Sequence, residues 1–182
     1  VTNPLRTNTV GIVLAAGGGE RFGMPKVLAD NGRWLDRAVT ALADGGVGRI
    51  LVALGAAVVP VPPPAAVLVV PDWRRGLSVT VAAAVRAART DPDIEALMLH
   101  TIDTPTIGSA VVDRVLAEGE NGLARAVFHG VPGHPVLIGR AHWEELLRSL
   151  SGDVGAGPFL ATRGDLVSVE CSDLGSGGDI DE

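Results

Sequence analysis

The chain has 182 residues, enough for one domain with a sizeable core and too short to count on two. Apolar residues make up 47% of it, but with three Phe, three Trp and no Tyr the core must be built from Val, Leu, Ile and Ala, the composition of buried parallel strands and their covering helices. The formal charge of −6, without a Lys/Arg run, argues against duplex nucleic acid, and the single Cys171 excludes an internal disulfide or a multi-thiolate metal centre and fits a reducing compartment.

The opening "VTNPLRTNT" has no apolar stretch of signal-peptide length, so nothing in it suggests export and a cytoplasmic location is expected. "TVGIVLA" (9 to 15) predicts a buried strand. "GRWLDRAVTALADGG" (32 to 46) predicts a helix with Leu35, Ala38, Val39 and Leu42 on one face and glycines at its end. From Ile50 to Pro71 there is no charged residue, yet Pro60, Pro62, Pro63 and Pro64 rule out a membrane span; two buried strands, about 50 to 54 and 67 to 70, joined by a proline-rich loop, are expected instead. "PDWRRGLSVTVAAAVRAARTDPD" predicts a helix with Ser78 as N-cap and Asp91-Pro92 as its stop.

"EALMLHTID" (95 to 103) reads as strand and "IGSAVVDRVLAEG" as helix. "GLARAVF" and "HPVLIG" read as strands flanking a glycine-rich turn, "HGVPGH"; "RAHWEELLRSL" is an amphipathic helix, "GPFLATRG" a short one and "DLVSVE" a final strand. Strands alternating with helices predict an α/β domain, a mixed, mainly parallel sheet sandwiched by helices, over residues 1 to 182. The tail "SDLGSGGDIDE" has no terminating structure of its own and leaves room for a natural protein that continues past Glu182.

"LAAGGGERFGMPK" (14 to 26) carries the chemistry. Glycines between strand and helix let bare amides approach phosphate. A dinucleotide fingerprint fails, because Phe22 stands where the third glycine belongs and no acidic residue ends the second strand. A G-x-x-x-x-G-K-[ST] phosphate loop fails as well, with Met24 and Pro25 in place of the lysine and hydroxyl. What remains is Arg21 and Lys26, two cations that can wrap a triphosphate. Pro25 has no amide hydrogen and biases Met24 away from helix, so Lys26 is expected on an extended loop.

This segment resembles the L-A-A-G-x-G-x-R-x-G-x-P-K signature of the MobA-like nucleotidyltransferases, especially their molybdenum cofactor cytidylyltransferase (MocA-like) branch. Leu14, Ala15, Ala16, Gly17, Gly19, Arg21, Gly23, Pro25 and Lys26 fall in register. "WRRGLSVTV" is similar to the family's G-x-x-x-S segment through Gly76 and Thr80, with Ser78 a second candidate; "TIDTP" is similar to its D-x-P metal motif through Asp103 and Pro105. Gly133, Pro135, Gly152, Asp153, Gly155 and Ala156 match a further stretch, and "DIDE" resembles the terminal D-I-D-T-P. Gly157 stands where the family often has an arginine, and Glu182 replaces a threonine.

The resemblance implies a three-layer, Rossmann-like fold of the nucleotide-diphospho-sugar transferase type. It implies a Mg²⁺-dependent transfer of a nucleoside monophosphate to a phosphorylated acceptor, with release of pyrophosphate. Arg21, Lys26 and Asp103 would serve turnover. Leu14, Ala15, Ala16, Gly17, Gly18, Gly19, Gly76, Ser78 and Thr80 would hold the nucleotide, and Asp103 with Asp181 or Asp179 the metal. Ala15-Ala16-Gly17 favours CTP over GTP, molybdopterin is the leading acceptor, and a molybdoenzyme is a candidate partner. A different acceptor (sugar phosphate, phosphoalcohol or phospholactate) and a non-catalytic cofactor-binding accessory protein are the alternatives. His134, in the turn before Pro135, reads equally as a substrate contact or a surface histidine, and His100, His129 and His142 lack metal-ligand spacing.

Overall fold

The computed structural model describes residues 4–180. A short helix α1 (Pro4–Asn8) leads into β1 (Thr9–Ala15), and the chain continues through α2 (Arg33–Asp44), β2 (Arg49–Leu54), β3 (Ala66–Val69), α3 (Leu77–Arg89) and β4 (Ala96–Thr101). The second half adds α4 (Ser109–Glu118), β5 (Leu123–Phe128), β6 (Val131–Gly139), α5 (Trp143–Ser149), α6 (Gly157–Ala161) and β7 (Val167–Glu170). Seven strands form one sheet in the order β3-β2-β1-β4-β6-β5-β7. The β3-β2-β1-β4 half is parallel, β6 runs antiparallel to both its neighbours, and β7 is parallel to β5.

The sheet is the middle of three layers. Alternation along β1 sends Val13 and Ala15 to one face, where Leu35, Val39 and Leu42 of α2 and Val111, Val115 and Leu116 of α4 cover them. Val10, Ile12 and Leu14 point the other way, under Val81, Ala84 and Val85 of α3, with Trp143 and Leu146 of α5 and Phe159 and Leu160 of α6 in the same apolar layer. Every residue of β1 is buried, as a central strand covered on both faces requires. The buried Trp143 satisfies its indole by donating from Nε1 to the Ile138 carbonyl at 2.9 Å.

Several expectations need correction. The strand read at about 67 to 70 is not buried: β3 is an edge strand, with Val67 41% and Val69 52% exposed, because nothing pairs beyond it. An uncharged run looks alike at an edge and in a centre. The glycine-rich turn shrinks to His129-Gly130, both at positive φ, and β6 begins already at Val131. Ser78 is not the N-cap of α3; Gly76 holds that position, and Ser78 lies inside the first turn. Lys26 is not on an extended loop: Pro25, at φ −54° and ψ 123°, hands the chain to a 3₁₀ segment that starts at Lys26, and the Leu28 amide donates to the Pro25 carbonyl. The proline kept helix out of Met24 but suited the position before a helical turn.

α2 lies on one face of the sheet and α3 on the other, so the connection leaving β1 and the one entering β4 run over opposite faces. Strand order reverses between these two neighbours, and the crevice beyond their carboxyl ends is where an open α/β sheet accepts a ligand.

Candidate active site

That crevice is a cavity of about 740 Å³. One wall is the run from Leu14 to Phe22 after β1, the opposite wall is Trp73 to Leu77 with Thr80 and Asp153, and Thr101, Ile102 and Asp103 after β4 form the third side with Lys26.

The glycine loop is shaped by exclusion. Gly19 has φ +63°, and a Cβ there would sit 1.8 Å from the Met24 carbonyl oxygen, so only glycine closes the turn that the Gly23 amide completes on the Gly19 carbonyl. Trp73 lies against the loop, 3.2 Å from where a Gly18 Cβ would be, and over Gly55 as well. The indole therefore packs across the loops that follow β1 and β2. The Arg74 guanidinium stacks on it 4.6 Å from the ring centroid. The Ala56 amide donates to the Ala16 carbonyl, tying the loop after β2 to the same wall.

Lys26 crosses the crevice. Its Nζ donates to Oδ2 of Asp103 at 2.9 Å, with the two side chains 16% and 21% exposed. Asp103 lies two residues past the end of β4, so the first-strand loop and the fourth-strand loop meet through one charge-assisted hydrogen bond. Asp103 does not cap α4, which begins only at Ser109 behind Gly108.

The other expected residues divide. Gly76 and Thr80 line the cavity, whereas Ser78 does not and is buried within α3; its amide donates to the Gly152 carbonyl. Gly76 has φ +108°, and a Cβ there would stand 2.4 Å from that same carbonyl. Asp153 accepts from the Leu77 amide through Oδ1 at 3.1 Å and takes the capping role that Ser78 was expected to fill. No local pattern could reveal it, since the two residues are 76 positions apart. Asp179 is exposed and does not line the cavity, but the Ile180 amide donates to the Asp103 carbonyl at 2.9 Å, which pins the tail beside Asp103. Asp181 lies outside the described residues.

His134 and His100 are more buried than a turn predicts, whereas His129 is exposed. His134 belongs to β6, and its Nδ1 lies 3.4 Å from the Leu99 carbonyl oxygen; burial pulls its pKa below the usual histidine range. His100 in β4 is 1% exposed and burial pushes its pKa down to about 3, with His134 adding to the shift. Burial also pushes the Cys171 thiol up, against the opposing field of Arg114, consistent with a packing residue.

A glycine loop, two cations and a carboxylate gathered at the switch point of a parallel sheet define a nucleotide-handling α/β enzyme. The comparisons narrow the class. The family model of the MobA-like NTP transferase domain matches residues 11–167, and the chain belongs to this family of nucleotidyltransferases. Nicotine blue oxidoreductase of Paenarthrobacter nicotinovorans is 32% identical over 189 residues, covering 94% of this chain and 91% of that protein. Among solved structures, Rv0371c of Mycobacterium tuberculosis H37Rv superposes with a TM-score of 0.72 at 25% identity, covering 91% of this chain and 88% of that one. A complex of Rv0371c with manganese gives 0.68 at 23% identity, covering 90% and 88%.

Proposed function

We propose that the protein transfers CMP from CTP to a phosphorylated acceptor, with molybdopterin the leading candidate, and releases pyrophosphate. The observation that carries this reading is the Lys26–Asp103 contact spanning a cavity walled by the glycine loop. An oxygen of the acceptor's phosphate attacks the α-phosphorus; the new P–O bond forms as the bond to the β-phosphate breaks, and pyrophosphate leaves with that electron pair. The attacking phosphate is already ionised at neutral pH, so this chain positions the reactants and offsets accumulating negative charge. Amides of Gly17 to Gly19 and the side chains of Arg21 and Lys26 grip the polyphosphate, and Thr80 with the backbone of Ala15 and Ala16 reads the base and ribose.

Asp103 fits a divalent ion. It offers a hard carboxylate at the cavity wall with only Oδ2 engaged by Lys26, and Mg²⁺ commonly takes one or two carboxylates with phosphate oxygens and water. Among the described residues no group of three or more His, Cys, Asp or Glu could hold a metal, so the one- or two-carboxylate mode is the one available, Asp103 with Asp179 or Asp181. Bound there, Mg²⁺ would supply positive charge to the phosphates. CTP is favoured over GTP by the Ala15-Ala16-Gly17 resemblance alone. A cytoplasmic location and a molybdoenzyme partner belong to this same reading.

A second reading follows from the relative named an oxidoreductase. In that reading the same loop, although Phe22 stands in place of the third glycine of the usual fingerprint, holds the diphosphate of a reduced nicotinamide dinucleotide, which passes a hydride to a heteroaromatic acceptor in the cavity. Fold alone does not choose between the two activities. Pyrophosphate release should be followed with each of the four nucleoside triphosphates and Mg²⁺ against a panel of phosphorylated acceptors, beside oxidation of reduced dinucleotide with heteroaromatic acceptors. Release with CTP and one acceptor is the expected result. Dinucleotide oxidation without any pyrophosphate release would replace the transferase reading with the second one.

A further inference from the structure

β4 stops at Thr101, but β6 runs on past it: Leu99 pairs with Val136, so Val131 to Gly133 continue beyond the strand end, beside the turn that carries Asp103. β5 pairs with β6 on the far side, with Arg125 opposite Val136. Arg125 therefore shares a sheet face with Val136 and Leu99, and its Nε reaches towards the rim, 3.4 Å from the Gly133 carbonyl oxygen.

That long contact is the only hydrogen bond Arg125 makes to a described residue. No carboxylate among the described residues pairs with it, and burial pulls its guanidinium below the usual arginine value. Arg114, Arg163 and Arg140 of this half are matched, to Asp173, to Asp165 and Glu145, and to the carbonyls of Asp91 and Ile94, and Arg148 is exposed. A half-buried cation with four unused N–H donors is costly unless an anion completes it. The sheet order β1-β4-β6-β5 puts Arg125 two strands beyond β4, on the opposite side of it from the glycine loop after β1, and its field reaches His134.

We propose that Arg125 is the anion receptor for the second substrate, holding a phosphate monoester through its guanidinium fork on the β6 side of Asp103 while Arg21 and Lys26 hold the nucleotide on the β1 side. This rests on the transferase reading. Two phosphorylated substrates of like charge repel at close quarters, and a separate cation for each offsets that repulsion. The fork matches a phosphate bidentately, which a lysine cannot reproduce.

Inorganic phosphate should be titrated calorimetrically into the unmodified protein, Arg125→Gln, Arg125→Lys and Arg21→Ala. The expected result is two classes of site in the parent, with Arg125→Gln lacking one, Arg21→Ala lacking the other, and Arg125→Lys weakened by about tenfold at the first. Melting temperature should hold or rise in Arg125→Gln, because the change removes a half-buried cation that has no carboxylate partner among the described residues. An Arg125→Gln isotherm that superposes on the parent's, or a melting temperature that falls in step with the lost phosphate site, would overturn the assignment. In turnover, Arg125→Gln should raise the KM for the acceptor about ten- to hundredfold and leave that for the nucleotide within about twofold. Absence of turnover by the parent with every acceptor would remove the transferase reading and leave the phosphate titrations to judge Arg125.

Discussion

Lys26 and Asp103 hold each other in place across the cavity wall, and the proposed function assigns both to turnover. Both side chains sit at the cavity wall rather than in the apolar layers. Lys26→Ala and Asp103→Asn are therefore each expected to slow pyrophosphate release by about two to three decades, with circular dichroism and cooperative melting retained. His100 makes the opposite kind of contribution. Its Nδ1 is buried without a partner, and burial lowers the folded pKa from 6.5 to about 3. Above pH 6.5 both folded and unfolded chains are neutral at this site. Below it the unfolded chain takes up a proton that the folded chain refuses, so stability is lost as pH falls from about 6.5 towards 3. His134 is shifted in the same direction for the same reason. His100→Gln should flatten this acid limb by about 2 kcal/mol at pH 5, read from denaturant midpoints across a pH series.

At the scale of elements, position in the sheet decides what a strand residue does. β2 and β3 read alike as uncharged, β-branched runs, but Val52 is fully buried between β1 and β3 whereas Val69 stands half exposed on the edge. Val69→Lys is expected to change stability by no more than about 0.5 kcal/mol, and a charge on an open edge discourages strand-to-strand association. Val52→Lys would leave a buried, unpaired charge and should abolish cooperative folding. Thermal melts and light scattering on the two variants check the pair. α3 shows the same dependence on context, since its first amide is held by Asp153 and its N-cap glycine fits closely under the Gly152 carbonyl.

At the scale of the whole molecule, both apolar layers are anchored on one continuous sheet, and neither half could bury its strands alone. We expect residues 4–180 to unfold as one domain. Denaturation followed by tryptophan fluorescence, dominated by Trp34, Trp73 and Trp143 in different regions, should coincide with the loss of helix by circular dichroism. Separate transitions would show two units in place of the single one read from the chain's length.

The sequence by itself determined the repeating strand-helix order, the two-sided burial of β1 and the glycine loop with Arg21 and Lys26, because these rest on local periodicity and on residue types whose chemistry travels with them. Asp103 was legible for the same reason, an acidic residue directly after an apolar run. Only the tertiary structure decided that Lys26 meets Asp103 across 77 positions, that Thr80 rather than Ser78 faces the cavity, that Asp153 caps α3, that β3 is an edge, and that Arg125 has no carboxylate partner among the described residues. Each of these depends on which strands become neighbours. Pairing is settled by closure of the whole sheet and the burial it achieves, and no window of a few residues contains that information.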